Sequence, residues 1–240
     1  MTMSVSNKTI LVTGANRGIG AAVVRELLKA GAGRIYATAR DIASLPDFGD
    51  ARVVPLQLDI TSDASVDRAA GVAADVDLLL NNAGTLGFGD AITSPQAVIE
   101  ADMNTNFYGT LRVIRAFAPA FVSRGSGTIA NVVSVVGLAA VPALAGYSAS
   151  KAALQSLTQA LRGTLAPSGV TVIGIYPGPV DTDLAKAIPL EKATPEHAAA
   201  QIVRGLEQGQ THIFPDPTAL QIEQLWATDG RQLETAMQLG

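Results

Sequence analysis

The chain has no cysteine, which excludes disulfides, thiolate nucleophiles and cysteine-ligated zinc and suits a cytoplasmic setting. Histidine is nearly as scarce. The two that occur, His197 and His212, come with no paired-histidine spacing or carboxylate cluster, so no metal site is expected. Cations are outnumbered, 17 Lys and Arg against 21 Asp and Glu, which argues against nucleic acid or an anionic membrane as a partner. Long unbroken apolar runs are also missing. Residues 129–149 come nearest, but Asn131, Ser134, Gly137, Pro142 and Gly146 interrupt them, as in a buried strand plus loop rather than a membrane span. The opening MTMSVSNKTILVTG lacks the apolar segment and cleavage site of a secretion signal. With no repeat, low-complexity tract or linker-like break, residues 1–240 are expected to form one domain.

What the chain does have is apolar material, 48% of its residues, in short runs that alternate with helical spacings. Residues 9–12, 34–39, 53–58, 76–80, 128–133 and 170–175 read as strands, and 212–214 as a shorter one. Ile19, Val23 and Leu27 recur at helical spacing up to Gly31, a helix-ending glycine. Ser62 is placed to cap a helix over 62–73. Phe107, Leu111, Ile114, Ala118 and Phe121 form one long apolar stripe, and Leu154, Leu157, Leu161 and Leu165 another. Helices near 196–207 and 218–226 complete the pattern. Near-continuously apolar strands alternating with helices predict an α/β fold with a parallel sheet covered on both faces.

In such a sheet ligands sit beyond the carboxyl ends of the strands, where the unusual residues lie. The first strand runs into Thr13-Gly14-Ala15-Asn16-Arg17-Gly18-Ile19-Gly20. Its glycines permit a tight turn and close approach to a pyrophosphate, which the amides and helix N-terminus would meet. At the end of the second strand Arg40 stands where a carboxylate would select NAD, so a cation for a 2′-phosphate, and NADP, is the reading; Arg17 could converge on the same group. The alternative leaves Arg40 a solvated arginine and Asp41 a helix cap. Asp59 has two open readings, an acceptor for an adenine amino group or a turn residue. Asn81 and Asn82 end the fourth strand, and a loop-tying role suits Asn81. In GYSASK, Tyr147 and Lys151 stand four residues apart, on one helix face.

TGANRGIG, NNAG, Asn106-Phe107-Tyr108-Gly109, Ser134 thirteen residues before Tyr147, YSASK and PGPV occur in that order. Together they resemble the short-chain dehydrogenase/reductase superfamily, in its single-domain, NADP-preferring branch, over residues 13–182. The resemblance implies a Rossmann-type, doubly wound parallel sheet of about seven strands flanked by helices. It also implies a catalytic tetrad. Tyr147 would be the general acid/base and Ser134 would hold the substrate oxygen. Lys151 would bind the nicotinamide ribose and lower the phenol's pKa, and Asn106 would hold a water in a relay. The cofactor-contacting set it implies, with the residues above, is Gly14, Asn16, Arg17, Gly18, Ile19, Gly20, Arg40, Asp59, Ile60, Asn82, Ala83 and Gly84. Pro177, Gly178, Val180 and Thr182 join it, with Tyr147 and Lys151 themselves.

The expected function is hydride transfer between NADP(H) and an uncharged, fairly apolar ketone, aldehyde or secondary alcohol. The charge-free loop over 135–146 is expected to line the pocket, with Val180, Leu184 and Ile188 as lid contacts. Trp226 is expected to pack rather than touch substrate. A homodimer through the two long helices is expected, with a tetramer as the alternative; the tail, which continues past the last short strand into another helix, counts against the tetramer. Two rival readings stand beside this one. GYSAS resembles a hydrolase elbow with Ser148 as nucleophile, though no good strand precedes it. A non-catalytic NADP-binding regulator on the same fold is the other.

Overall fold

The computed structural model describes residues 4–239. A seven-stranded, wholly parallel sheet runs in the order β3-β2-β1-β4-β5-β6-β7. The strands are β1 (Thr9–Val12), β2 (Arg34–Ala39), β3 (Val53–Gln57), β4 (Leu78–Asn81), β5 (Gly127–Val132), β6 (Val170–Ile175) and β7 (His212–Ile213). The period of two sorts their side chains between the faces. Ile10, Val12, Leu78, Leu80, Ala130, Val132, Ile173 and Ile175 join one apolar core. Leu11, Leu79, Ile129 and Val172 join the other. Helices α1 (Gly18–Lys29) and α6 (Pro195–Glu207) cover the first face. Helices α2 (Asp63–Val72) and α4 (Thr110–Arg124) cover the second.

The helix ends obey local chemistry. Ser62 accepts the amide of Ser65 to cap α2, and Thr194 does the same for His197 in α6. Gly31, at φ +83°, turns the chain out of α1 just behind Ala30. β3 forms one rim of the sheet and carries Pro55. Leu58 donates to Ala39 O and Ile35 to Arg52 O, so the even-numbered residues face β2 and the nitrogen of Pro55 faces outward, where a strand tolerates proline.

Several elements differ from expectation. The stripe from Phe107 belongs to a longer rod: α3 (Gln96–Asp102) passes through a π-helical turn (Met103–Gly109) into α4. The early part was hidden because α3 is mostly exposed and carries little apolar periodicity. The final helix expected near 218–226 is α7 (Pro217–Thr228), capped by Asp216, and a further α8 (Gly230–Leu239) follows. Residues 129–149 resolve as strand, loop and the start of α5 (Ala145–Leu165), and no helix among the described residues is long and apolar enough to cross a membrane. Val135, Val136, Tyr176, Phe214, Ile222 and Leu233 form a third core, under α7 and α8. Trp226 packs against it, as expected.

The chain enters the sheet at its middle. β1 lies between β2 and β4, so the connections leaving β1 and β4 diverge to opposite faces and open a crevice at their carboxyl ends.

Candidate active site

The glycine turn is shaped by close contacts at that crevice. Gly14 and Gly18 adopt φ +64° and +52°, which side chains with a Cβ resist. A Cβ on Gly20 would lie 2.2 Å from Gly14 O, and one on Gly14 would lie 2.9 Å from Ala83 Cα. Thr13 Oγ1 accepts the amides of Asn82 and Ala83, and Asn82 Nδ2 donates to the carbonyls of Thr13 and Gly14. The loops after β1 and β4 are thus laced together by Asn82. Asn81, by contrast, is buried and donates to Asn131 on β5, which donates in turn to Thr158 on α5. α1 opens without an acidic residue in its first turn and without a side-chain cap. Unclaimed helix amides over glycines that leave room for close approach fit a dinucleotide pyrophosphate.

Around this turn the remaining cofactor candidates separate. Arg40 is exposed at the end of β2, where it helps hold the Asp59 carboxyl below its usual range; the leading cause there is the Thr61 hydroxyl. Asp59 Oδ1 accepts both the amide and the hydroxyl of Thr61, so its turn role is realised. Ile60 is buried in the second core, and its carbonyl accepts from Arg112. Ile19 packs against the first core, Asn16 is half-buried and Gly84 exposed. Arg17 does not join Arg40. It crosses the cleft to Asp183, Nη1 to Oδ2 at 3.1 Å. Thr182 lies beside Gly18, where an added Cβ would come within 2.9 Å of its methyl. The segment after β6 is fixed from below: Gly178 N donates to Asp216 Oδ2, and Pro177 O accepts from Ser134. Val180 is buried, Ile188 half-buried and Leu184 exposed, so the three do not present one apolar lid.

The tetrad converges at the carboxyl ends of β4 and β5. Ser134 follows β5 with φ +144° and ψ 157°, territory otherwise left to glycine and costing about 1–3 kcal/mol. Tyr147 and Lys151 lie in the first turns of α5 and are both buried. Lys151 Nζ donates to Val132 O at 2.8 Å and stands 5.7 Å from the centre of the Tyr147 ring. Asn106 sits in the π-turn with no exposed surface. Its Nδ2 donates to Thr85 O and Ser150 Oγ, and its Oδ1 accepts from Thr85 N. That side chain is committed to fixing the loop after β4, so a water relay at this position would have to use its main chain.

Two expectations need correction. The phenol is not lowered in this state: burial pushes Tyr147 up to about 12, and the hydrogen bond with Ser134 opposes this only in part. Lys151, whose ammonium was expected to act on it, is itself pushed down to about 8 by burial. The loop over 135–146 is not simply pocket lining either. Val135 and Val136 enter the core beneath α7 and α8. The stretch from Val136 to Pro142 does line a cavity of about 310 Å³, with Ala145 and Gln238, but Tyr147 does not border it. A larger one, about 730 Å³, lies among α6, β7 and α7, away from the tetrad.

Sequence reasoning missed Asp102, which is buried, and Thr85, Asn131 and Asp216. The rival hydrolase loses its geometry: Ser148 is buried within α5 and accepts the amide of Val141. Among the described residues no group of His, Asp and Glu could hold a metal.

The family model for short chain dehydrogenases matches residues 8–193. The chain belongs to the short-chain dehydrogenase family. Its similarity to other short-chain dehydrogenases runs nearly end to end. A crystal structure of one from Burkholderia cenocepacia, in complex with NADP, superposes with a TM-score of 0.92 at 38% identity, covering 98% of this chain and 99% of that one. Among curated relatives, the ketoacyl reductase HetN of Nostoc is 30% identical, over 88% of this chain and 79% of its own. A 3-alpha-(or 20-beta)-hydroxysteroid dehydrogenase of Mycobacterium tuberculosis is 35% identical, over 76% of this chain and 72% of its own.

Proposed function

We propose that this short-chain dehydrogenase is an NADPH-dependent carbonyl reductase, reversible toward alcohol oxidation, whose substrates are uncharged, fairly apolar ketones or aldehydes. The observation that carries the reading is the burial of Tyr147 and Lys151 beside Ser134, next to a turn whose amides suit a pyrophosphate. Arg40 at the end of β2 supports the 2′-phosphate, as does the NADP complex of the Burkholderia neighbour. The ketoacyl and hydroxysteroid relatives support a largely apolar carbonyl partner. A single catalytic domain, a cytoplasmic setting and a homodimer belong to the same proposal. Tyr108 in the π-turn and Val122 on α4, both exposed, support pairing through this rod.

The glycine turn, Arg40 and the segment from Pro177 to Thr182 would hold NADPH, which when bound would supply the hydride for the carbonyl carbon. Ser134, which is hydrogen-bonded to Tyr147, would turn its hydroxyl from Pro177 O to the carbonyl oxygen. Tyr147 gives its proton to the nascent alkoxide. The phenolate that remains is stabilised by the Lys151 ammonium, strongly so in a site from which water is excluded.

The test is NADPH consumption by the purified protein across a panel of uncharged ketones, beside Tyr147→Phe. Loss of the phenol should slow turnover at least about 100-fold, the usual span of a general acid. Unchanged turnover would end the reading. Nucleotide binding without turnover in the wild type would favour the regulator, and faster reaction with NADH would remove the role given to Arg40.

A further inference from the structure

Asp102 is the last residue of α3, one turn before Asn106, and its relative exposure is 1%. Its carboxyl group has only donors around it: Thr85 Oγ1 donates to Oδ1 at 3.0 Å, and Gly87 N donates to both oxygens at 3.1 Å. The loop that supplies these donors also borders Lys151, since a Cβ on Gly84 would lie 3.7 Å from Nζ. At the other end of the same loop, a Cβ on Gly87 would lie 3.0 Å from Asp102 Oδ2.

A buried ammonium needs compensation, because a single carbonyl such as Val132 O does not replace its hydration. Elements packed against α5 offer few charges. Glu100 on α3 is exposed and bonded to Gln96, and Tyr108 in the π-turn is exposed. Arg162, near the far end of α5, turns to the carbonyls of Val172 and Thr211 and to His212. Tyr176, beyond β6, is spent on Gln155. Asp216 is buried too, but it caps α7 and holds Gly178. Among the described residues Asp102 is the buried carboxylate that remains, and the loop from Gly84 to Gly87 links it to the border of Lys151.

We propose that Asp102 is the standing counter-charge of this site, a positioning residue that keeps Lys151 an ammonium and Tyr147 a neutral phenol. The proposal rests on the reading of these two as the catalytic pair. Its charge opposes the loss of a proton from either group, in the same sense as its electrostatic effect on both. The site therefore rests loaded with the proton that carbonyl reduction consumes. The cost falls on the reverse reaction, which needs the phenolate.

The prediction is read without turnover, by ¹³C NMR of labelled lysine side chains, with the Lys151 resonance assigned from its loss in Lys151→Arg. The wild-type midpoint is expected near 8. In Asp102→Asn proton binding should weaken about tenfold, a midpoint roughly one pH unit lower. Asp102→Glu should restore it. Thr85→Val, which removes a donor but no charge, should leave it in place; a shift there as large as in Asp102→Asn would make the effect structural and overturn the proposal. If Asp102→Asn does not fold, Asp102→Ser decides, since it too removes the charge and should lower the Lys151 midpoint to the same degree. Midpoints that ignore the partner charge overturn the proposal. In turnover, Asp102→Asn should move the alkaline limb of reduction and the acid limb of oxidation to lower pH together. Should Tyr147→Phe keep full activity, the catalytic reading falls while these titrations still judge the charge pair. Should it lose activity while the midpoints stay put, only the counter-charge falls.

Discussion

At Gly20 the absence of a side chain is a requirement of packing, because a Cβ there would meet Gly14 O at 2.2 Å and Asn82 Nδ2 at 2.5 Å. Gly20→Ala must push the turn open. The expected cost is about 1–3 kcal/mol of stability, as for other overpacked sites, with loss of the rise in melting temperature expected on adding NADPH. Gly163, in exposed α5 surface, meets nothing within 4 Å, and alanine there should be neutral or stabilise by up to about 1 kcal/mol. Thermal melts with and without NADPH compare the two, and equal behaviour would sink the packing argument. The glycines, Tyr147 and Lys151 were legible in sequence because their meaning is local, carried by spacings of a few residues. Asp102, Asn131 and Asp216 were not. Asn131 acquires its role from Asn81, fifty positions away, and no periodicity encodes that meeting.

At the scale of elements, β7 is two residues long and still organises its end of the sheet. His212 stacks on Tyr176, which also stacks on Phe214, and Arg162 reaches its imidazole. Burial and then the guanidinium lower the imidazole's pKa below 6.5. A depressed pKa means the unfolded chain takes up the proton more readily than the folded one. The stability tied to neutral His212 is therefore present above about 6.5 and lost as pH falls through the folded value. His212→Gln should flatten the fall in melting temperature between about pH 7 and 5; a wild-type slope in the variant would show that the acid sensitivity arises elsewhere. Strand and helix alternation was readable because each segment carried enough apolar residues to set a period. α3 and α8 escaped for the opposite reason: α8 buries Leu233 and half-buries Met237, too few points to define a stripe.

For the whole molecule, the decisive fact is the reversal of strand order at β1, which brings residues from opposite ends of the chain to one crevice. Arg17 and Asp183 then span its two walls, with side chains 65% and 70% exposed. A pair so open to solvent is strongly screened and holds only weakly. Asp183→Asn should speed NADPH release by no more than about fivefold, the most such a pair can supply. Stopped-flow fluorescence of the bound nucleotide reads this, and in high salt the wild type should approach the variant. Identical release at low salt would mean that the pair plays no part in holding the cleft. The parallel architecture was visible in the alternation of segments; the crossing of Arg17 to Asp183, and not to Arg40, was not, because it depends on how two distant loops face each other.

The rim at β3 carries one more implication. A foreign strand seeking to continue the hydrogen-bonded ladder there would meet Pro55, which has no amide hydrogen to lend on its outward side. The missing donor at Pro55 interrupts the ladder at that border and disfavours lateral growth of the sheet there.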